Sequence, residues 1–272
     1  MKAVLSVQDL SCVGRCSQTV ALPVLSAMGV CCSVLPTAVL STHTGFPGGK
    51  TVSLTDQIPD FAAHWEQLGI RFDAVLCGYL AGPAQVEAVL PLLQSCREKG
   101  AKVILDPAMG DHGKLYRGLD EDHVCAMAEL CAQADILLPN VTEAALLCEL
   151  PYREQTDGAY LRALTAGLMT CYHTEAVLIT GVSSREGSLG FAGADRKEGG
   201  FVYQNSAVPR QFHGTGDLFS AVFTGAFVSG NDVYEAGVRA ADFVRLCAEK
   251  TPVSTPYGIE FEPWLHKLWE KE

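Results

Sequence analysis

The 272-residue chain contains no run of ~18 uninterrupted apolar residues, so nothing in it reads as a membrane span. Its 11 cysteines include no Cys-x-x-Cys pair, and no His/Cys set has zinc-ligand spacing. Their odd number, and their place in apolar segments such as AVLCGYL and ALLCEL, fit small buried hydrophobes in a reducing cytoplasm better than a disulfide framework. Basic charge is scarce: Lys+Arg 20 against Asp+Glu 31 leaves a net charge of -11. Such a surface repels phosphate backbones, which argues against nucleic-acid and membrane partners. G-x-x-x-x-G-K-[ST] is missing, which excludes a P-loop, and no G-x-G-x-x-G follows the first apolar run, which argues against a dinucleotide oxidoreductase. Without internal repeats, low-complexity segments or a linker, residues 1–272 read as a single domain.

What is present is core material, 48% hydrophobic residues, arranged as short apolar runs between helical patterns. Strands are expected at Ala3–Val7, Val30–Val34, Thr37–Leu40, Ala74–Cys77, Lys102–Leu105, Ile136–Leu138 and Ala176–Thr180. Helices are expected over Ser17–Met28, Ile58–Leu68 and Pro83–Lys99. Two more begin near Thr215 and Val233, and a terminal one reaches Trp269. This alternation signals βαβ units, hence a parallel sheet covered on both faces. The polar stretches Gly187–Ala192 and Gly200–Asn205 read as an antiparallel edge hairpin. Ligands of open parallel sheets lie beyond the carboxyl ends of the strands. That directs attention to Gln8-Asp9, Ser41–Gly45, Gly78-Tyr79, Asp106-Pro107, Pro139-Asn140 and Thr180-Gly181.

The sharpest local signal is His213-Gly214-Thr215-Gly216-Asp217 ahead of LFSAVFTGAFV. Glycines at the mouth of a buried helix leave amides bare where the macrodipole is positive, making an oxyanion cradle that needs no Lys or Arg. Asp217 is placed to take a proton from a hydroxyl there. The competing reading is an ordinary helix start capped by Thr215. Asp106, Asp111 and Glu143 form a candidate carboxylate set for hydrated Mg²⁺. Asn140 and Glu143 alone read as a capping box. Trp65, Trp264 and Trp269 read as packing, His64, His112 and His123 as surface residues, and Cys12 and Cys16 as inert thiols unless Arg15 activates them.

The stretches LSVQ (5–8) with Gly14, STHTGF (41–46), VLCGYL (75–80), DPAMGD (106–111), LPNVTEAALL (138–147), VLITG (177–181) and GTGDLFSA (214–221) together resemble the ribokinase superfamily, and within it the pyridoxal (vitamin B6) kinases. The resemblance implies a three-layer α/β/α fold with a mostly parallel sheet and an antiparallel edge hairpin. The β lid of the sugar kinases has no room between Val30 and Thr51, and the Gly/Ser-rich turn of hydroxymethylpyrimidine kinases is replaced by Gln8-Asp9-Leu10-Ser11.

By the same resemblance, ATP would phosphorylate the 5′-hydroxymethyl group of pyridoxal, pyridoxamine or pyridoxine, in salvage of pyridoxal 5′-phosphate. Asp217 would be the base and Gly214, Thr215 and Gly216 the anion hole. Asp106, Asp111 and Glu143 would act through Mg²⁺. Leu138, Asn140, Thr180 and Ser183 would line the nucleotide site, with Tyr116 as a lid. His43, Thr44, Gly45, Tyr79 and Asp9 would face the ring. Asp9 departs from the Ser common in the family, which bears on the choice of vitamer unless its side chain points to solvent. A monovalent cation such as K⁺ and a homodimer are also family expectations. The alternatives are a kinase of a thiamin-precursor pyrimidine, sugar or nucleoside, and a non-catalytic B6-binding protein.

Overall fold

The computed structural model describes residues 1–269. β1 (Ala3–Ser11) leads through α1 (Gln18–Ala27) to β2 (Cys31–Leu40) and the short β3 (Thr51–Ser53). A 3₁₀ turn runs into α2 (Ile58–Gln67), followed by β4 (Ala74–Cys77), α3 (Pro83–Glu98) and β5 (Lys102–Leu105). A small hairpin, β6 (Gly110–Asp111) and β7 (Lys114–Leu115), precedes α4 (Glu121–Cys131), β8 (Ile136–Leu137), α5 (Val141–Leu147) and α6 (Gly158–Tyr172). Then come β9 (Ala176–Val182), β10 (Ser188–Asp195), β11 (Gly199–Ser206), α7 (Thr215–Val228) and α8 (Val233–Lys250).

One nine-stranded sheet has the order β11-β10-β9-β8-β5-β4-β1-β2-β3. The run from β9 to β2 is parallel; β10 and β11 add the expected antiparallel hairpin at one edge and β3 pairs antiparallel at the other. Alternation along the strands divides the interior in two. Val4, Leu76, Ile104 and Leu178 pack under α1, α7 and α8. Leu5, Val75, Val103 and Val177 pack under α2 to α6. β4 is buried at all four residues, as a central parallel strand requires. No described helix is long and apolar enough to cross a membrane.

Several boundaries differ from expectation. β1 runs four residues further, so Gln8 and Asp9 lie inside the strand, with a register shift against β2 between Gln8 and Leu10. The two short strands expected at 30–40 are one. Pro36 is tolerated there because β3 pairs only with Ala38–Leu40, leaving β2 without an outer partner at the proline. β9 runs two residues past the expected Thr180, to Val182. The terminal helix is a 3₁₀ segment, Glu262–Leu268. From β1 the chain goes outward to β2 but later returns on the other side as β4. The crevice where strand order reverses therefore opens above β1 and β4, the place where doubly wound sheets bind ligands.

Candidate active site

α7 starts at that rim. Its N-cap is Gly214, not Thr215: Gly214 has φ 82°, and no side chain caps the helix. A Cβ at Gly214 would drive into the Arg15 carbonyl, so both the left-handed backbone and the close approach demand glycine. Thr215 turns its hydroxyl to the Phe212 carbonyl at 3.4 Å, leaving the leading amides to an anion. Gly216 is exposed, and a Cβ there would sit 3.9 Å from Asp106 Oδ2.

Asp217 lies within the first turn. Burial, then the charges of Asp106 and Asp9, push its carboxyl up to about 7, against a pull from the Ser17 amide. Asp106, just beyond β5, accepts the Ser220 hydroxyl at 2.6 Å, and burial raises it to about 6. Asp9 is buried. Its oxygens accept the Ser17 hydroxyl at 2.6 Å and the Ser11 hydroxyl at 3.0 Å, and burial raises its pKa against those two bonds. It does not point to solvent. Tyr79, at the end of β4, is half-buried, and its hydroxyl is raised by burial and by Asp9.

Glu143 is buried on the other side. Asn140 caps α5 in a reciprocal box: its Oδ1 accepts the Glu143 amide at 3.0 Å, while Glu143 Oε2 accepts the Asn140 amide at 2.8 Å. Glu143 Oε1 accepts the Met109 amide at 3.0 Å, and Asn140 Nδ2 donates to the Gly110 carbonyl at 2.7 Å. Burial and the Asp106 charge hold the Glu143 carboxyl well above its ordinary range. Tyr116, at the foot of the β6–β7 hairpin, is partly exposed; burial and the charges of Glu143, Asp106, Asp111 and Asp217 raise its hydroxyl.

The expected trio of Asp106, Asp111 and Glu143 is not assembled. Asp111 is exposed on β6 with its carboxylate against His112, and among the described residues no group of three His, Cys, Asp or Glu is arranged to hold a metal. Asp106 nonetheless keeps Oδ1 without a hydrogen-bond partner among the described residues. No Lys, Arg or His is bonded to Asp9, Asp106, Glu143 or Asp217 among the described residues. Buried (Asp9, Glu143) and half-buried (Asp106, Asp217) acids with no bonded cation suit a hydrated Mg²⁺, which needs few protein ligands once phosphate oxygens supply the rest.

His43 is a latch more than a ligand: Nδ1 accepts the Gly45 amide at 3.1 Å, leaving Nε2–H to donate to the Pro256 carbonyl at 3.2 Å. Its ring stands 4.8 Å from His213 and 4.7 Å from Phe46. Thr44 and Gly45 are exposed beside it. Leu138 is buried in the core under α7. Thr180 bridges to Asn140 from β9, and Ser183 is exposed just past that strand. Cys16 has no activating cation beside it: burial, Asp217 and Asp9 raise its thiol, and Arg15 turns to Glu262 instead. His123, expected at the surface, is fully buried because it lies on the core-facing side of α4.

Two contributors were not singled out from sequence. Ser17 adopts φ 52° and ψ -123°, a strained backbone that lets its hydroxyl hold Asp9 while its amide faces Asp217. Ser220 lies four residues past Gly216, so helical periodicity could have placed it on the same face.

An uncapped helix start carrying a carboxylate in its first turn, at the reversal point of a ribokinase-like sheet, is the arrangement of a small-molecule phosphotransferase. A family model of phosphomethylpyrimidine kinases matches residues 23–258. The pyridoxine/pyridoxal/pyridoxamine kinase of Bordetella bronchiseptica is 31% identical over 265 residues, covering 91% of this chain and 89% of that protein. The pyridoxal kinase of Lactobacillus plantarum has the same fold at TM-score 0.88 and 33% identity, over 98% of this chain and 96% of that one. A Bacteroides thetaiotaomicron protein described as a phosphomethylpyrimidine kinase, crystallised with pyridoxal, reaches TM-score 0.92 at 33% identity over 98% of this chain and 95% of that one. The chain belongs to this family, with pyridoxal kinases among its relatives.

Proposed function

We infer that the chain is an ATP-dependent kinase of a B6 vitamer, transferring the γ-phosphoryl group to the 5′-hydroxymethyl oxygen. The observation that carries this is Asp217 in the first turn of a helix whose leading amides have no side-chain cap. In the transfer, the acceptor O–H gives its proton to the Asp217 carboxylate as the oxygen–phosphorus bond forms. The bond from that phosphorus to the β-phosphate bridging oxygen breaks, and ADP leaves. The amides of Thr215, Gly216 and Asp217 hold the equatorial oxygens, so most of the rate comes from positioning and charge stabilisation.

Mg²⁺ brought in with ATP would rest on Asp106, with Glu143 behind it, neutralising phosphate charge. Asn140 acts through the Gly110 turn, since its side-chain oxygen and nitrogen are both engaged. Thr180, Ser183 and Leu138 would border the nucleotide, and Tyr116 would cover it. Asp9, Tyr79 and the His43–Gly45 loop would surround the pyridine, with Asp9 favouring a protonated ring nitrogen or an amine. K⁺ and a homodimer complete the reading by family likeness.

An ADP-release assay across pyridoxal, pyridoxamine, pyridoxine, hydroxymethylpyrimidine and several sugars tests it. Turnover is expected on at least one vitamer. The matching family model favours one competitor, the pyrimidine, and equal or faster turnover on it would displace the B6 reading. Vitamer binding without turnover at any Mg²⁺ concentration would make the chain a binding protein.

A further inference from the structure

We propose that residues 256–262, some forty residues beyond Asp217, form a brace that sets the geometry of the phosphoryl cradle, with Arg15 as its positioning residue. The proposal rests on the phosphoryl-transfer reading of the site.

Three backbones meet behind the cradle with no space for a side chain. Gly214 abuts the Arg15 carbonyl. Gly258, at φ 92°, faces the same carbonyl, and a Cβ there would lie 2.9 Å from the His213 oxygen and 3.1 Å from the Arg15 oxygen. Hydrogen bonds close the junction. The Arg15 amide donates to the Tyr257 carbonyl at 2.8 Å, and the Ile259 amide donates to the His213 carbonyl at 3.0 Å. His43 ties Pro256 to the loop expected to face the acceptor. The Arg15 side chain leaves the acidic site and clamps the brace: Nε donates to Glu262 at 2.7 Å, and Nη1 reaches the Gly258 carbonyl at 3.4 Å.

Arg15, His213 and Gly258 thus fix the left-handed turn at Gly214, and that turn aims the amides of Thr215 to Asp217. An ångström-scale error there is costly because transfer depends on alignment. An exposed ion pair contributes little to stability. Its worth here is geometric.

Kinetics of Arg15→Met, assayed well below its melting temperature, test this. The expected result is a fall in kcat of roughly tenfold, with KM for the vitamer moving less than threefold and the melting temperature barely changed. The exchanged pair Arg15→Glu with Glu262→Arg should recover most of the loss. Gly258→Ala, where it folds, should cost more. The brace is overturned if Arg15→Met keeps kcat within twofold, if only KM moves, or if the exchanged pair is no better than its singles. An inactive wild type would instead sink the phosphoryl-transfer reading.

Discussion

Asp217 would be costly to the fold and useful to the proposed transfer for one reason: it is a half-buried, desolvated acid beside two others. An unfolded aspartate ionises near ~4, whereas here ionisation waits until about 7, so stability declines as pH rises between those values and stays lower above them. Asp217→Asn should therefore raise the melting temperature at pH 8 and leave it unchanged near pH 4. The same variant should lose about 10²- to 10⁴-fold in kcat with nucleotide affinity preserved. In the wild type kcat/KM should fall as pH drops through about 7, and an unchanged profile in the variant would remove the base assignment. His123 has the opposite sign. Buried, with neither ring nitrogen partnered among the described residues, it resists protonation, so stability is lost as pH falls below the ordinary imidazole range near ~6.5. His123→Leu should gain more melting temperature at pH 5.5 than at pH 8, as thermal unfolding would show. The sequence marks Asp217 clearly through its flanking glycines, but nothing local in the EDHVCAM stretch says that the histidine faces inward.

Among the elements, α5 carries a load out of proportion to its seven residues. Its capping box was legible as N-x-x-E, and the structure adds what the spacing could not show: the same carboxylate and amide reach across to Met109 and Gly110. The helix start thereby holds the turn leading to the β6–β7 hairpin and Tyr116. Asn140→Ala should cost about 1 kcal/mol of stability in denaturant titration, and KM for ATP should rise because the hairpin loses its tether. A stability loss with unaltered ATP kinetics would confine Asn140 to capping. Strand ends were harder to read than helix ends. The polar residues Gln8 and Asp9 looked like loop because polarity normally marks a strand's exit. Here ladder pairing continues past them, and their side chains are satisfied within the site.

Across the whole molecule, net charge -11 coexists with a proposed site for a tetraanionic nucleotide. In the proposed reading the fold resolves the conflict by presenting backbone amides to phosphate, its inner carboxylates having no cation bonded to them among the described residues. Mg²⁺ should therefore raise the melting temperature of the ligand-free chain at pH 8, where Asp106 and Asp217 are ionised. At pH 5 protons already occupy them, and the effect should be slight. A calorimetric scan at both values checks this, and equal shifts would place the cation elsewhere.

Hydrophobic periodicity, breaker residues and the Gly-Thr-Gly-Asp helix start were enough by themselves to determine a parallel α/β sheet, its edge hairpin and the start of the helix proposed to cradle phosphate. These are local properties, written in spacings of two to four residues. Tertiary packing alone decided that Asp111 faces solvent while Asp9 turns inward, that Ser17 joins Asp9 to Asp217, and that the 256–262 segment backs Gly214. Each of those depends on which distant segments share a rim, and chain order does not encode that distance.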